Sequence, residues 1–218
     1  MHAPVRQAKA KSRPAQRDAE RSRAAILAAA TAEFTAHGFG GASVNEVAAR
    51  AAINKRMIYH YYGNKEGLFL AVLEETYARI RSAESELCLA HLAPPEAVRR
   101  LVLFTFDYFV KNPEFLTLLN TENMLHARHL KRSEQIQEMH SPLVGTLAEL
   151  LKRGAADGVF REDVDPVQLY ISIAALGFFY MANNPTLSTI FGRNLATPEA
   201  LETRREHIAS VIMDYLRP

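Results

Sequence analysis

The chain has 218 residues, 48% of them hydrophobic and 23% charged, which is typical of a globular protein with a sizeable core. The longest apolar run, residues 171–182, is too short to span a bilayer, and the basic N-terminus lacks the apolar stretch of a secretory signal. A single cysteine, Cys88, excludes an intramolecular disulfide and fits a reducing compartment. These features predict a cytoplasmic protein without a membrane segment.

The positive charge is concentrated at the N-terminus. Residues 1–24 hold seven Lys or Arg and two acidic residues, so they carry +5 and leave −3 for the remainder of a chain whose net charge is +2. The low apolar content predicts that residues 1–17 form a disordered basic arm in the absence of DNA. Such an arm either attracts DNA phosphates or acts only as a solubilising tail, and its charge leaves both open.

The first predicted helix follows this arm. Between residues 18 and 37, the apolar side chains of Ile26, Ala30 and Phe34 recur every four residues, which is typical of one buried helical face. A glycine-rich run, residues 38–41, ends the pattern.

Two short helices around a tight turn come next. Ser43 is suited to cap the first helix, on which Val47 and Ala48 lie on one apolar face, and Asn54 is suited to cap the second, residues 54–62. The outward face of the second helix carries Lys, Arg, Tyr and His, which suits a groove lined by phosphates. This spacing predicts a helix-turn-helix.

The rest of the chain is also helical by its periodicity and capping residues. Proline after Asn112, Asp165 and Thr197 marks three helix starts, because proline is tolerated in the first turn. The predicted helices cover residues 65–89, 96–111, 112–130, 133–157, 167–182, 186–191 and 199–216. The sequence thus predicts an all-α fold of nine to ten helices.

Two runs of the sequence resemble TetR-type transcriptional repressors. The run I-N-K-R-M-I-Y-H-Y-Y-G-N-K-E-G-L, residues 53–68, resembles the recognition-helix region of that family, and I-L-A-A-A-T-A-E-F-T-A-H-G-F, residues 26–39, resembles its first helix. Ala52 departs from the family pattern, which usually has glycine at a turn with positive φ. Alanine in a left-handed conformation costs on the order of 1 kcal/mol, which a packed domain tolerates, and the alternative is a slightly different turn geometry.

The resemblance implies two domains. Residues 18–66 would form a three-helix DNA-binding domain, and residues 67–218 a helical bundle for ligand binding and dimerisation. The C-terminal runs G-V-F-R-E-D-V-D-P-V-Q-L-Y-I-S-I-A-A-L-G-F-F-Y and N-N-P-T-L-S-T-I-F-G-R are similar to TetR-type regulators of nicotinate and aromatic catabolism. This similarity implies an aromatic or nitrogenous small-molecule inducer.

The family motif implies which residues contact double-stranded operator DNA. By chemistry, Arg56 and Lys55 suit guanine edges, whereas Tyr59, His60 and Lys65 suit phosphates. The alternative is that this surface is only a solvated basic face. The implied contacts are Ser43, Asn45, Asn54, Lys55, Arg56, Met57, Tyr59, His60, Tyr61 and Lys65, whereas Phe34, Val47, Ile58 and Tyr62 are predicted to be core.

The resemblance also implies a homodimer joined through a four-helix bundle, made of residues 170–182 and 207–216 of each subunit. The small residues Ala174, Ala175 and Gly177 would permit close approach of the helices. Ile173, Leu176, Phe178 and Phe179 would supply apolar area. A helix this apolar is buried in any case, so an intramolecular core is the alternative.

The ligand pocket is expected inside the C-terminal bundle. Its predicted aromatic walls are Phe104, Tyr108 and Phe178, and its predicted polar groups are Asn120, Glu122, Asn123, His126 and His129. The predicted helix over residues 112–130 places Glu122, His126 and His129 on one face. That set suits a metal, a ligand contact or a solvated face, but the sequence identifies no fourth metal ligand, so no metal or other cofactor is predicted.

The sequence therefore predicts a ligand-responsive repressor that binds a pseudo-palindromic operator as a homodimer and is released by its inducer. One alternative is a helical metal-dependent enzyme that uses Glu122, His126 and His129. No nucleophile elbow, phosphate loop or dinucleotide fingerprint accompanies these residues, and the prediction is that the protein is not an enzyme. The other alternative is a DNA-binding protein without a ligand sensor.

Overall fold

The computed structural model describes residues 13–218, and residues 1–12 of the predicted basic arm lie outside this range. The described chain is all-helical and contains no strand, as predicted. Two single 3-10 turns, Leu89–His91 and Leu130–Arg132, accompany the α-helices. The α-helices are α1 (Arg13–Gly41), α2 (Val44–Arg50), α3 (Lys55–Tyr62), α4 (Lys65–Ser85), α5 (Pro94–Lys111), α6 (Pro113–Met124), α7 (Glu134–Ala156), α8 (Pro166–Ala182), α9 (Asn184–Ile190) and α10 (Pro198–Leu216).

The helices form two compact units, one ending at Val72 and the other covering Leu73–Pro218. In the first unit the predicted core residues Phe34, Val47 and Ile58 are each 1% exposed. The ring of Phe34 meets that of Phe69 edge-on, with 4.9 Å between centroids. Burial of these large side chains holds α2 and α3 against α1, since apolar burial is the main stabilising term in a small unit.

The turn between α2 and α3 adopts the positive φ that is usual for the family at this position, although alanine replaces glycine. Ala52 has φ 52°, in the left-handed region, whereas the preceding Ala51 has a right-handed φ of −77°. The side chain of Ala52 is exposed, so no packing contact compensates for the strain. A turn without glycine is therefore accommodated at a local cost in stability.

Ala52→Gly is expected to stabilise the protein by about 0.5–1 kcal/mol, because glycine adopts positive φ without the steric penalty. Ala51→Gly is the matched control. Ala51 is right-handed, so glycine relieves no strain there and only increases the conformational entropy of the unfolded chain. We therefore expect this substitution to destabilise the protein by a similar amount. Urea unfolding of the three proteins measures both changes. Equal effects of the two substitutions would contradict the assignment of strain to Ala52.

Helix α5 lies at the centre of the second unit and packs against α7, α8 and α10. Its buried residues include Leu101, Phe106 and Phe109, which confirms the burial predicted from its apolar composition. A Cβ added at Gly177 of α8 would lie 3.2 Å from the Phe109 ring, so glycine allows α8 to approach α5 closely.

Three predicted helix limits were wrong. Helix α1 begins at Arg13 instead of near residue 18, so residues 13–17 of the predicted disordered arm are helical, and it is interrupted at Gly38, with φ 63°, in the glycine-rich run that was predicted to end it. Helix α4 ends at Ser85 instead of near residue 89, and Cys88 adopts a left-handed φ of 51°. Helix α6 ends at Met124 instead of near residue 130, because His126 and Ala127 are both left-handed, with φ 56° and 57°. Two consecutive residues of this kind cannot continue a right-handed helix. The predicted shared helical face of Glu122, His126 and His129 is therefore also wrong.

None of the helices in the described part of the chain is both long and apolar enough to cross a membrane.

Candidate functional site

Helix α3 separates one buried anchor from an outward polar face. Ile58 is 1% exposed, and Asn54 caps the helix by accepting a hydrogen bond from the Arg56 N–H at 2.9 Å. Capping residues of this type satisfy amide donors that the first turn leaves unpaired. The outward side chains are exposed or half-exposed: Lys55, Arg56, Met57, Tyr59, His60 and Tyr61. The structure thus brings together most of the predicted DNA contacts on one helix.

Aromatic rings on this helix lie close to basic side chains. The Lys55 ammonium lies 5.5 Å from the centroid of the Tyr59 ring, one turn away on α3. The Arg23 guanidinium lies 5.0 Å from the ring of Tyr61. Tyr62 was predicted to be core, but it is half-buried, and its hydroxyl donates to the Arg23 carbonyl oxygen at 3.5 Å.

Ser43 and Asn45, the predicted contacts on α2, lie at its N-terminus. The Ser43 hydroxyl caps the helix by accepting a hydrogen bond from the Asn45 N–H at 3.3 Å. The Ser43 N–H in turn donates to the carboxylate of Glu33 on α1 at 3.0 Å. Ser43 is therefore fixed by a structural contact in addition to any contact with DNA.

Glu33 is a buried acid that the sequence analysis missed. Its side chain is 3% exposed and lies 3.2 Å from His37 Nδ1 and 3.6 Å from the Arg50 guanidinium. Ser43 and Arg50 lie at opposite ends of α2, so one carboxylate on α1 holds both ends of that helix. An acidic residue directly before Phe34 in an otherwise apolar stretch was the available signal.

Lys65 begins α4 and also has an internal partner. Its ammonium donates to the Gly40 carbonyl oxygen at 3.3 Å and lies 5.1 Å from the centroid of the Phe39 ring. An ammonium carries three protons, so this single hydrogen bond leaves donors for a phosphate. Lys65 thus combines a structural role with the predicted phosphate contact.

The second unit contains a cleft in which half of the lining residues carry aromatic rings, and we call it the aromatic cleft. Its volume is about 520 Å³, within the range of small-molecule sites. Two of the predicted ligand residues, Asn123 and Phe178, line it. The full lining is Tyr77, Ile80, Phe109, Phe115, Leu119, Asn123, His140, Tyr170, Ile171, Ala174, Ala175 and Phe178.

Polar atoms in the aromatic cleft are held in defined protonation states. His140 Nδ1 lies 2.7 Å from the Ile136 carbonyl oxygen, so we assign the proton to Nδ1, which leaves Nε2 as an acceptor. Burial lowers the pKa of His140, which favours this neutral form. Burial also raises the pKa of Tyr77 to about 12, so its hydroxyl remains a donor. The Tyr77 hydroxyl is therefore a donor and Nε2 of His140 an acceptor among the lining residues, and the Asn123 amide adds groups of both kinds.

The other predicted ligand residues lie elsewhere. Phe104 and Tyr108 line a separate groove along α5 with Arg99, Lys111 and others, and its volume is about 460 Å³. Asn120 is half-buried on α6 and lines none of these clefts, whereas His126 is exposed.

Glu122 and His129 form a buried pair that closes the turn after α6. One carboxylate oxygen of Glu122 accepts from the N–H groups of His129 and Leu130 at 2.7 and 2.9 Å, and the other lies 2.7 Å from His129 Nδ1. His126 is not part of this arrangement. No group of three His, Cys, Asp or Glu side chains suited to a metal ion occurs among the described residues. The set of residues required by the enzyme alternative is therefore not assembled.

A second cleft, which we call the charged cleft, lies between α4, the turn at Leu89–His91 and α7. Its volume is about 550 Å³, and the buried ion pair of Arg81 and Glu84 forms part of its wall. This pair could not be selected from the sequence, because opposite charges three residues apart on a helix are usually exposed. The full lining is Ala78, Arg81, Ser82, Glu84, Ser85, Cys88, Leu89, Ala90, His91, Met139, Pro142, Leu143 and Thr146.

Helices α8 and α10 carry an exposed apolar stripe, which we call the outer stripe. On α8, Val167, Ile171 and Phe179 are four and eight residues apart, on one face of the helix, and are 45%, 50% and 58% exposed. On α10, Val211 and Tyr215 are 39% and 49% exposed. Exposed apolar patches of this kind often mark interaction surfaces.

Part of the predicted dimer face lies inside the subunit instead. Ile173 is 1% exposed in the core, and Gly177 is buried against Phe109. Phe179 and Ala175 are exposed, whereas Leu176 and Phe178 are half-buried. Helix α8 is apolar on all sides, so it serves both as core and as an outer surface.

Family models match both units of the chain. Residues 26–72 match the model described as bacterial regulatory proteins, tetR family, and residues 94–212 match that described as tetracyclin repressor-like, C-terminal domain. The chain is 40% identical over 182 residues to the HTH-type transcriptional repressor NicS of Pseudomonas putida, covering 84% of this chain and 86% of that protein. It is 35% identical over 141 residues to the HTH-type transcriptional repressor SCO4008 of Streptomyces coelicolor, covering 64% and 70%.

Solved structures share the fold at lower sequence identity. A putative transcriptional regulator, SCO4942 from Streptomyces coelicolor, superposes with a TM-score of 0.67 at 23% identity, covering 90% of this chain and 99% of that one. The regulator FadR from Bacillus subtilis in complex with stearoyl-CoA gives 0.65 at 15% identity, covering 89% and 99%. With its capped recognition helix and both family domains, the chain belongs to the TetR family of DNA-binding transcriptional regulators and is not an enzyme.

Proposed function

We propose that this protein is a ligand-responsive repressor that binds a pseudo-palindromic operator as a homodimer and is released by a small-molecule inducer. The main support for DNA binding is helix α3. Asn54 caps this helix and Ile58 is buried beneath it, whereas its side chains Arg56, Tyr59 and His60 are exposed. The name of the Pseudomonas putida relative supports repression as the direction of control.

Base recognition is assigned to the start of α3. Arg56 lies in the first turn, the part of a recognition helix that contacts base edges in the major groove. Its guanidinium can donate two hydrogen bonds to O6 and N7 of a guanine, and Lys55 can reach the same edge. Tyr59, His60 and Lys65 are assigned to phosphates, which position the helix without reading sequence.

Homodimerisation is assigned to the outer stripe of α8 and α10. Pairing of the stripe with the same stripe of a second copy removes apolar side chains from water and gives a two-fold symmetric interface. A two-fold axis also matches the symmetry of a pseudo-palindromic operator, whose half-sites lie about 34–36 Å apart.

The inducer is assigned to the aromatic cleft. Aromatic walls favour a flat apolar body, and Asn123 together with Nε2 of His140 would orient its polar atoms. An aromatic or nitrogenous compound fits these features. The complex of FadR with stearoyl-CoA gives a precedent for ligand binding in this fold.

Release from DNA is assigned to α4, which is one helix from Lys65 to Ser85. Its later part contributes Tyr77 and Ile80 to the aromatic cleft, and its first residue is the predicted phosphate contact Lys65. An inducer that prefers a position of α4 unsuited to the half-site spacing would lower operator affinity, since a ligand acts only through its differential affinity for two states.

Arg56→Ala is expected to weaken operator binding by about 1–3 kcal/mol and to relax specificity at one base pair. The operator is first obtained by selecting random duplexes with the wild-type protein, and affinity is then measured by fluorescence anisotropy. Failure of the wild type to enrich any inverted repeat would overturn the proposed function.

Lys65→Ala and Lys152→Ala provide the comparison. Loss of a phosphate contact at Lys65 should weaken selected and random duplexes alike and reduce the salt slope by about one. Lys152 is exposed on α7 in the other unit, so its replacement should leave both affinities unchanged. If Arg56→Ala weakens random DNA as much as the selected operator, Arg56 contacts phosphate and the assignment of base recognition is wrong.

A further inference from the structure

The charged cleft contains a buried ion pair with incomplete hydrogen bonding. The side chains of Arg81 and Glu84 are 9% and 3% exposed, and Arg81 Nη1 lies 2.8 Å from Glu84 Oε2. Arg81 Nη2 donates to the Tyr170 hydroxyl at 2.9 Å. Arg81 Nε and Nη1 and both oxygens of Glu84 have no hydrogen-bond partner among the described residues, so the 2.8 Å contact is an ion pair without hydrogen-bond geometry.

Such a pair is unusual inside a protein. Buried polar atoms are almost always hydrogen-bonded, and a buried ion pair offsets its loss of hydration only when further hydrogen bonds complete it. Apolar residues would fill the same space without this cost. Both residues line a cleft of about 550 Å³, and their unpaired atoms are buried behind its surface, so a bound molecule supplies the missing partners once the two side chains turn toward the cleft.

The unsatisfied atoms define the chemistry of that molecule. The N–H groups on Nε and Nη1 of Arg81 lack acceptors, and both carboxylate oxygens of Glu84 lack donors. A complementary edge therefore carries an acceptor next to an N–H donor. When Glu84 is ionised, Arg81 and Glu84 together have no net charge, so a neutral ligand adds none, whereas an anion would bury an unbalanced charge.

We propose that the charged cleft binds a small neutral molecule with an amide-type edge, a carbonyl oxygen beside an N–H, as found in carboxamides, lactams and ureas. The carbonyl oxygen accepts hydrogen bonds from Arg81, and the N–H donates to Glu84. The mainly apolar remainder of the lining, including Leu89, Met139 and Leu143, contacts the body of the ligand.

This site is distinct from the aromatic cleft but adjoins it through one residue. Tyr170 lines the aromatic cleft, and its hydroxyl is bound to Arg81 of the charged cleft. A ligand that reorients Arg81 thereby alters the hydrogen bond of Tyr170. The two clefts are thus connected by a single polar contact in the second unit.

Three probes of nearly equal shape test the proposal. Benzamide has the amide edge, acetophenone replaces its NH2 by a methyl group, and benzoate replaces it by a charged oxygen. At pH 8, where Glu84 is mainly ionised because burial raises its pKa only to about 7, benzamide is expected to bind at least about tenfold tighter than either. Titration of full-length protein labelled with 13C-methyl methionine gives the three dissociation constants and locates the site. The Met139 methyl signal is expected to shift, whereas that of the exposed Met124 is not.

Variants assign the preference to the ion pair. The double substitution Arg81→Met with Glu84→Met removes both charges and should abolish the difference between benzamide and acetophenone. Asn123→Ala in the aromatic cleft is the matched control and should retain the difference. Thr146→Phe, at a half-buried lining position, keeps the ion pair but fills the cleft and should weaken all three probes. If the double variant does not fold, the Thr146→Phe variant tests whether the probes bind in the charged cleft.

Each other outcome overturns the proposal. Equal affinities for benzamide and acetophenone would mean that water completes the ion pair. Tightest binding of benzoate, with uptake of a proton, would identify an anion site. No shift of the Met139 signal at 10 mM benzamide would exclude the site. These results are independent of operator binding, so they do not overturn the proposed function, nor does failure of operator selection overturn the cleft.

Discussion

Phe179→Asp is expected to convert the protein from a dimer to a monomer and to lower operator affinity by about 100-fold or more. Phe179 is 58% exposed and belongs to the outer stripe, so the substitution leaves the core intact but places an unpaired charge in the proposed interface. A monomer binds only one half-site. It loses the high effective concentration at which a dimer presents its second recognition helix to the second half-site.

Light scattering at micromolar concentration measures the oligomeric state, and fluorescence anisotropy with the selected operator measures the affinity. Met124→Asp is the matched control, since Met124 is 82% exposed on α6 and lies outside the outer stripe. We expect this control to remain a dimer. A dimeric Phe179→Asp protein with wild-type operator affinity would rule out the stripe as the interface.

A substitution on the other face of α8 is expected to have a different effect. Ile173 is 1% exposed in the core, so Ile173→Asp should unfold the second unit instead of dissociating a folded dimer. Circular dichroism distinguishes the two results. Burial of this helix was predictable from the sequence, but which face is buried was not. Its side chains are apolar on all sides, so their spacing does not distinguish a buried face from an exposed one.

Helix positions in the DNA-binding unit were predictable because local signals determine them. Ser43 and Asn54 cap α2 and α3 as their side chains suggest, and the apolar spacing identifies Val47 and Ile58 as core. The φ of Ala52 was left open by the sequence, because alanine replaces the usual glycine there, and it is positive. Tertiary contacts stabilise these two helices without changing where they begin.

The second unit was less predictable, because nonlocal contacts define its polar residues. His126 and Ala127 are left-handed without glycine or asparagine to signal it, and the Glu122 carboxylate binds amides seven and eight residues later. Arg81 and Glu84 have the spacing of an exposed helical pair, but both side chains are buried in the folded chain. Pair spacing alone cannot report whether other helices exclude water from a charge.

Glu84→Gln is expected to change the pH dependence of stability. Burial raises the pKa of Glu84 from 4.5 to about 7, although Arg81 acts in the opposite direction. The folded state therefore holds this proton more tightly than the unfolded state does. The resulting stabilisation is complete below pH 4.5 and is lost as the pH rises through 7. The 2.5-unit difference corresponds to about 3 kcal/mol.

Urea unfolding of wild type and Glu84→Gln from pH 4.5 to 8, at one protein concentration, measures this effect. The free energy of unfolding of the wild type should fall relative to that of the variant across this interval, because only the wild type must ionise a buried carboxyl. Glu86→Gln, at an exposed glutamate two residues further along, should follow the wild type at every pH. A pH-independent difference between wild type and Glu84→Gln would mean that Arg81 keeps Glu84 ionised throughout. The ion pair would then dominate over burial in the charged cleft.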